Sequence, residues 1–319
     1  MKLRSSMSGL ALVAGLGLAF TGCGKVNEVR AQKAFKDGNK LYAASDWKAA
    51  ATKYEEALQM NPSNAYSYFF LANSLDNLYR PTRVGEPEND ALLTKAIDNY
   101  NKAAENIADP LWKRRSFEFL VSAYGPDKLN DPTMAEPIVR KMIELDPADP
   151  SNYFQLASIY ENSGEYEIAE ETFIKAKSAK PSDPNVYMQL AGYYNRQGDF
   201  PKTIEALGQR VGIEPNNPEA HYTVSTYYWD KAYRDFRLKD TEKLDLVLKG
   251  IESVDKAIAI KSDYMEAIAY KNLLLRLQAN LIKDPARQQQ LIREADQLRD
   301  KAEEMRKSKN ADAAAAAKK

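Results

Sequence analysis

Cysteine and histidine are almost absent: the 319 residues include one of each, Cys23 and His221. A single cysteine cannot close a disulfide within the chain, and the two residues together cannot supply a Cys/His zinc site. Lys plus Arg and Asp plus Glu both number 45, so no net positive field would attract nucleic acid. No stretch alternates as a strand would, and therefore no glycine-rich phosphate loop lies between a strand and a helix. We expect no metal, no cofactor and no nucleic-acid partner.

What the chain does contain is an internal repeat. Residues 150–217 hold two consecutive blocks of 34 residues that match position by position. The matching pairs are Gln155 and Gln189, Leu156 and Leu190, Ala157 and Ala191, Tyr160 and Tyr194, and Pro181 and Pro215. A fixed period of this length indicates stacked structural units.

Each block predicts a helical hairpin. The first helix presents one apolar face, formed by Leu156, Ala157 and Tyr160. Gly164 supplies the turn after it, because glycine adopts the backbone conformation that such a turn needs. The second helix presents a face of small and large residues, formed by Ala169, Phe173 and Ala176. Alanine lets helices approach closely, and each hairpin has more apolar face than one partner covers, so the hairpins stack.

These residues resemble the tetratricopeptide repeat, a family of 34-residue helix–turn–helix units. The family has Leu, a small residue and Tyr on the first helix, then Ala, an aromatic residue and Ala on the second. The resemblance implies an all-α, right-handed superhelical solenoid of about seven units with a C-terminal capping helix. We expect the first unit to open near Ala31, and its second helix to cover residues 47–60. The second and sixth units carry insertions, and Thr133 and Glu136 in the third are spaced as a capping box.

The sequence offers no catalytic constellation. His221 occupies a first-helix position at which the preceding units have Tyr153 and Tyr187, so we interpret it as a packed ring. Paired acids such as Glu170 and Glu171 are adjacent on a helix and do not face each other. We interpret them as solvated surface and expect no enzymatic activity.

Partner-binding positions follow from the resemblance, because the first helices of this family line the concave wall of the solenoid. By register these positions are Phe35, Asn39, Tyr42, Tyr66, Phe69, Asn73, Asp76, Phe154, Met188, Asn195, Tyr222 and Trp229. Rings provide contact area at low entropic cost, and amides can bond to a peptide backbone. The alternative is that these rings pack against neighbouring helices. Family members that clamp the carboxylate of chaperone tails have Lys and Arg with Asn at set positions. Asn39 fits this pattern, but Phe35 and Phe70 stand at other matching positions, so we expect no such clamp.

The N-terminus resembles the signal peptide of a bacterial lipoprotein. Lys2 and Arg4 precede an apolar run, residues 9–20, which is too short to span a bilayer. The run ends at Phe20-Thr21-Gly22-Cys23, which is similar to a lipobox, although Phe20 stands where Leu is usual. The resemblance implies acylation of Cys23. The alternative is an ordinary signal peptide with an incidental cysteine.

Four segments are therefore expected: a signal peptide (1–22), a lipidated tether (23–30), the solenoid (31–307) and a disordered, alanine-rich tail (308–319). Gly24 follows the cysteine where some lipoproteins have aspartate. In bacteria with two membranes, this resemblance favours the outer membrane, with the protein facing the periplasm.

The function favoured by the sequence is that of a lipid-anchored, non-enzymatic adaptor that binds another envelope protein or peptide. Two alternatives share this architecture. One is an assembly factor, such as a pilotin or a subunit of the outer-membrane assembly machinery. The other is a regulatory adaptor of a peptidase or peptidoglycan enzyme. The sequence does not separate them.

Replacing the predicted acylation site tests the anchor. Several acyl chains on one cysteine hold a protein firmly at a membrane, whereas a single chain binds only marginally. We expect Cys23→Ser to move most of the protein from the membrane pellet to the soluble fraction in cell fractionation. A variant that sediments with membranes as the wild type does would contradict lipidation at Cys23.

Overall fold

The computed structural model describes the backbone of residues 13–316 and the side chains of residues 25–311. This part of the chain contains fourteen α-helices and no strand. The helices are α1 (Val13–Ala43), α2 (Trp47–Met60), α3 (Ala65–Leu78), α4 (Pro87–Asn106), α5 (Pro110–Ala123), α6 (Pro132–Leu145), α7 (Pro150–Asn162), α8 (Tyr166–Ala179), α9 (Pro184–Arg196), α10 (Phe200–Ile213), α11 (Pro218–Arg234), α12 (Asp240–Ile260), α13 (Met265–Leu281) and α14 (Pro285–Ala316). They form seven consecutive pairs, which confirms the all-α repeat fold.

The chain divides into two compact units. Unit 1 contains α1 to α6 and the second half of α7, and within it each helix from α1 to α5 packs against the helix that follows. Unit 2 contains the first half of α7 and helices α8 to α14, with consecutive packing from α8 onward and an additional contact between α11 and α13.

The local sequence explains where the helices begin and turn. Asp and Asn side chains accept hydrogen bonds from the free N–H groups at the start of several helices: Asp46, Asn64, Asp109, Asp131, Asp183, Asp199 and Asn217. The connections within the first five pairs each contain a left-handed residue. Gly164 (φ 79°) and Gly198 (φ 75°) supply it in the two ideal blocks, and Ser45 (φ 59°) does so in the first pair.

The core is built from the small–large–small faces of the second helices. In α2, α4 and α8 these faces are Ala50–Tyr54–Ala57, Ala96–Tyr100–Ala103 and Ala169–Phe173–Ala176, and each of these nine residues is at most 1% exposed. The alanines allow neighbouring helices to approach, and the central ring fills the space beside them. The predicted period therefore corresponds to one repeated packing interaction.

Three local predictions differ from the structure. Residues 23–30, predicted as a tether, continue α1 without a break, since no proline interrupts them. The alanine-rich tail is helical as far as Ala316, because alanine has the highest helix propensity. The capping box at Thr133 is absent: Asp131 caps α6 instead, by accepting bonds from the N–H groups of Thr133 and Met134.

The predicted signal peptide lies outside the described residues up to position 12, and the side chain of Cys23 lies outside them too.

Two helical glycines provide a matched test of close packing. A Cβ at Gly250 in α12 would lie 2.9 Å from Leu274 Cδ2 and 3.3 Å from Tyr228 Cβ, whereas a Cβ at Gly208 in α10 would meet nothing within 4 Å. Alanine gains about 1 kcal/mol of helix propensity over glycine, and overpacking costs about 1–3 kcal/mol. We expect Gly208→Ala to raise the free energy of unfolding by about 0.5–1 kcal/mol and Gly250→Ala to lower it by up to about 2 kcal/mol. Chemical denaturation measures both, and equal shifts would contradict the close approach of α11, α12 and α13.

Candidate partner-binding site

A buried amide connects the first two helix pairs of unit 1. Asn73 on α3 is 4% exposed. Its Oδ1 accepts a hydrogen bond from the Tyr42 hydroxyl at 2.6 Å and another from Asn77 Nδ2 at 3.0 Å. Its Nδ2 donates to the Tyr100 hydroxyl at 3.1 Å. Asn73 is therefore fully engaged inside the protein, and its amide is not offered to a partner.

A buried ion pair extends this network. Lys128, on the connection between α5 and α6, donates to Asp76 at 2.5 Å, and both side chains are at least four-fifths buried. Burial raises the pKa of Tyr100, and the nearby Asp76 carboxylate raises it further. Asp76 thus joins the third helix pair to the second, and its charge is already compensated.

Phe69 lies in the core as well. It is 3% exposed, and its ring contacts those of Phe70, Tyr100, Trp112 and Phe119 at centroid distances of 5.0–5.9 Å. The register predicted Phe69 and Asn73 as wall residues, and the structure corrects this prediction. The aromatic residues of α5, in a unit that matches the repeat poorly, cover Phe69.

Half-buried rings form a continuous surface above this core. Phe35 on α1 lies 6.0 Å from Phe70 on α3, Phe70 lies 5.4 Å from Trp112 on α5, and Trp112 lies 5.9 Å from Tyr66 on α3. Tyr66 is 37% exposed, and the other three rings are half-buried. We call these four residues the aromatic strip. Buried Phe69 and Tyr54 lie beneath it and contact the ring of Phe70.

An exposed cation lies beside the strip. The Arg115 guanidinium is 5.0 Å from the centroid of the Trp112 ring, a cation–π contact. Burial raises the pKa of Tyr42, and the positive charge of Arg115 opposes that rise, so its field reaches the hydroxyl of Tyr42. Half-buried Asn39 accepts a hydrogen bond from Tyr54 at 2.8 Å. Of the positions predicted in unit 1, Phe35 and Tyr66 belong to the strip, and Asn39 and Tyr42 border its supporting network.

The predicted positions of unit 2 do not form one continuous polar and aromatic wall. Asn195 is exposed, and half-buried Met188 accepts a hydrogen bond from Arg210 at 3.4 Å. The Phe154 ring lies 6.2 Å from Phe173. Tyr222 and Trp229 both contact Tyr270, at 5.5 Å and 5.7 Å.

The residues considered for catalysis have structural contacts. His221 Nε2 lies 2.8 Å from the Pro215 carbonyl oxygen, and the Tyr187 hydroxyl donates to the equivalent carbonyl of Pro181 at 2.7 Å. His221 thus makes the same backbone contact as Tyr187 does at the equivalent position of the preceding pair. Glu170, predicted as solvated, is half-buried and accepts hydrogen bonds from Tyr194 at 3.0 Å and Lys202 at 2.7 Å.

The described residues include neither a membrane-spanning helix nor a group of metal ligands. Between residues 13 and 316, no helix is long and apolar enough to cross a membrane. In the same part of the chain, no three His, Cys, Asp or Glu side chains are grouped so that they could hold a metal ion.

Sequence reasoning missed Trp112 and Arg115 and assigned Phe70 only to a clamp position. The signal was available, since counting from Pro110 as the first residue of α5 puts Arg115 in the slot that Phe70 occupies in α3. The third unit matched the repeat poorly because its α5–α6 connection is longer, and this obscured the register.

Two profiles of the tetratricopeptide repeat match the chain, one over residues 35–83 and one over residues 150–183. Among solved structures, the C-terminal part of a TPR repeat-containing protein from Cytophaga hutchinsonii is 14% identical with a TM-score of 0.56, over 85% of this chain and 98% of that chain. YrrB, described as a TPR protein with an unusual peptide-binding site, is 20% identical with a TM-score of 0.42, over 64% and 97%. A tetratricopeptide repeat protein from Parabacteroides merdae is 11% identical with a TM-score of 0.45, over 83% and 98%. No curated protein matches the sequence.

Paired helices stacked through small residues define the chain as a helical repeat scaffold suited to binding other proteins. The repeat profiles show tetratricopeptide repeats at residues 35–83 and 150–183, and the fold is that of a tetratricopeptide repeat protein.

The buried position of Asn73 leads to a stability prediction. Asn73→Ala removes the partner of two buried hydroxyls, so we expect it to lower the free energy of unfolding by about 1–3 kcal/mol. Asn195→Ala is the matched control on an exposed surface, where a change within about 0.5 kcal/mol is expected. Thermal or chemical denaturation measures both. Equal stability of the two variants would show that the Tyr42–Asn73–Tyr100 network contributes nothing.

Proposed function

We propose that this protein is a lipid-anchored, non-enzymatic adaptor of the bacterial cell envelope that binds a segment of another protein along the aromatic strip of unit 1. The observation that carries the proposal is the continuity of four partly exposed rings across three successive first helices, α1, α3 and α5. The N-terminal pattern around Cys23 supports the anchor and the outer-membrane location facing the periplasm.

The strip has the physical properties of a preorganised binding surface. Its rings lie on helices and rest on buried rings, so few rotamers are lost when a partner binds. Partly exposed aromatic residues over a well-packed base resemble the anchors that dominate binding energy at protein interfaces.

Arg115 gives the surface a charge preference. Its guanidinium is exposed and stacks on Trp112 rather than on a carboxylate. A partner segment that places an apolar or aromatic side chain on the strip and a carboxylate near Arg115 would satisfy both features. The adaptor role needs only these contacts, and none of the four ring residues is paired with a base that could activate a nucleophile.

Site-specific photocrosslinking identifies the partner and tests the surface together. A photoreactive phenylalanine analogue placed at Tyr66 samples the strip, and the same analogue at Tyr166, which is 50% exposed on α8, is the matched control. In membranes containing the full chain, we expect a discrete crosslinked partner from position 66 and not from position 166. Equal crosslinking at the two positions, or none at position 66, contradicts the proposed site.

Affinity then measures the contribution of the strip. We expect Tyr66→Ser combined with Arg115→Glu to weaken binding of the crosslinked partner by roughly thirtyfold, since loss of a hot spot costs about 2 kcal/mol or more. Tyr166→Ser combined with Arg287→Glu makes the same changes at exposed positions of unit 2 and should leave affinity unchanged. Circular dichroism of both variants verifies folding. If the Tyr66 and Arg115 variant keeps its affinity, the partner binds at a surface other than the aromatic strip.

A further inference from the structure

The sixth helix pair carries a projecting turn. Helix α11 has 17 residues, whereas the preceding first helices α7 and α9 have 13. The last two residues of α11 and its connection to α12 together form residues 233–239. We call these seven residues the tip. The tip lies where the sequence analysis predicted an insertion in the sixth unit.

The tip exposes two aromatic rings. Phe236 is 87% exposed and Tyr233 is 62% exposed, the two largest exposures among the large hydrophobic residues of unit 2. The Tyr233 ring stacks on Trp229, one helical turn earlier, at a centroid distance of 4.7 Å and an interplanar angle of 11°. Tyr233 is thus fixed in place, while Phe236 projects from the turn.

Hydrogen bonds hold the tip in this conformation. The Asp235 carboxylate accepts bonds from the backbone and side chain of Arg237 and, at 2.8 Å, from Lys231. The Leu238 N–H donates to the Asp235 carbonyl at 3.3 Å, which places Phe236 at the second position of a tight turn. The contacts with Arg237 and Lys231 hold the pKa of the Asp235 carboxyl well below its usual range.

Positive charge surrounds the exposed rings. Between Lys231 and Lys239 the sequence has four cations and one carboxylate, Asp235. The side chains of Arg234 and Arg237 are 74% and 76% exposed, and Lys239 is exposed too. Asp230 forms an ion pair with Arg234, and Asp240 follows at the start of α12. The net positive charge is concentrated on the projecting part itself.

We propose that the tip docks on the surface of an anionic lipid membrane, with Phe236 and Tyr233 at the level of the headgroups and Arg234, Arg237 and Lys239 facing lipid phosphates. Aromatic rings and long basic side chains are the residues that settle at a membrane interface. Each basic residue near an anionic surface strengthens binding by roughly fivefold, within a Debye length. This contact is separate from lipidation at Cys23 and from the aromatic strip.

A lipid surface fits these features better than a protein pocket does. Lys239 would lose rotamer freedom if a protein interface fixed it. Arg234 and Arg237 would have to exchange Asp230 and Asp235 for new partners in fixed positions. Fluid headgroups can adapt to them without such ordering. The experiment below distinguishes lipid binding from binding to another protein or to a second copy of this chain.

Vesicle binding of the full chain, with Cys23→Ser to remove acylation, tests the proposal. We expect Tyr233→Ser with Phe236→Ser to weaken binding to phosphatidylethanolamine–phosphatidylglycerol vesicles by about tenfold or more, since burying a phenylalanine ring contributes that much. Val84→Ser is the matched control, because Val84 is 65% exposed on a loop where the neighbouring Arg83 is paired with Glu86. It should bind as its parent does. All these proteins have the same N-terminus, so a difference in vesicle affinity between two of them reports only on the substituted residues.

A depth measurement makes the result specific. In the same background, a fluorophore on Phe236→Cys should be quenched by lipids with quenchers near the headgroup, and one on Val84→Cys should not be. High salt should weaken binding, and phosphatidylcholine vesicles should bind less. Equal vesicle binding with and without the tip rings, or no quenching at position 236, would overturn the proposal. Lipid-free self-association that the tip variant abolishes would overturn it in favour of a second copy.

Discussion

The close contact between helices at buried alanines is the interaction on which the rest of the structure depends. In α2, α4 and α8, an alanine one turn before and another three residues after a large ring are all buried. The small residues set the distance between helices, and the ring fills the gap that remains. Because each helix pair leaves an apolar face uncovered, the same contact is repeated from pair to pair, and stability is approximately a sum of neighbouring interfaces.

The first three pairs add a second kind of connection to this scheme. Tyr42, Asn73 and Tyr100 come from three different helices and meet in one buried hydrogen-bonded cluster, which the Asp76–Lys128 ion pair extends to the third pair. The hydrogen bonds of this network form in only one relative arrangement of the helices, because a different arrangement would leave buried polar groups without partners. Its consequence for binding is indirect: it fixes the base on which the aromatic strip rests.

The two proposed contact surfaces arise from departures from the ideal repeat. The strip depends on Trp112, which lies in the pair that matches the repeat least well, and the tip depends on the additional turn of α11. The two best-matching blocks, residues 150–217, provide regular packing and inter-helix bonds such as that between Tyr194 and Glu170. Regular units therefore form the scaffold, and irregular ones expose rings and cations.

The sequence by itself determined the period, the helix pairs and the residues that pack between them. It predicted α2 over residues 47–60 and the buried ring of Phe173, because small and large residues recur at helical spacing. Only the tertiary structure decided which first-helix rings stay accessible. Phe69 and Phe70 are adjacent in the sequence, yet the rings of Trp112 and Phe119 bury the first more completely. Accessibility depends on the volume that the neighbouring unit contributes, and a repeat period does not encode that volume.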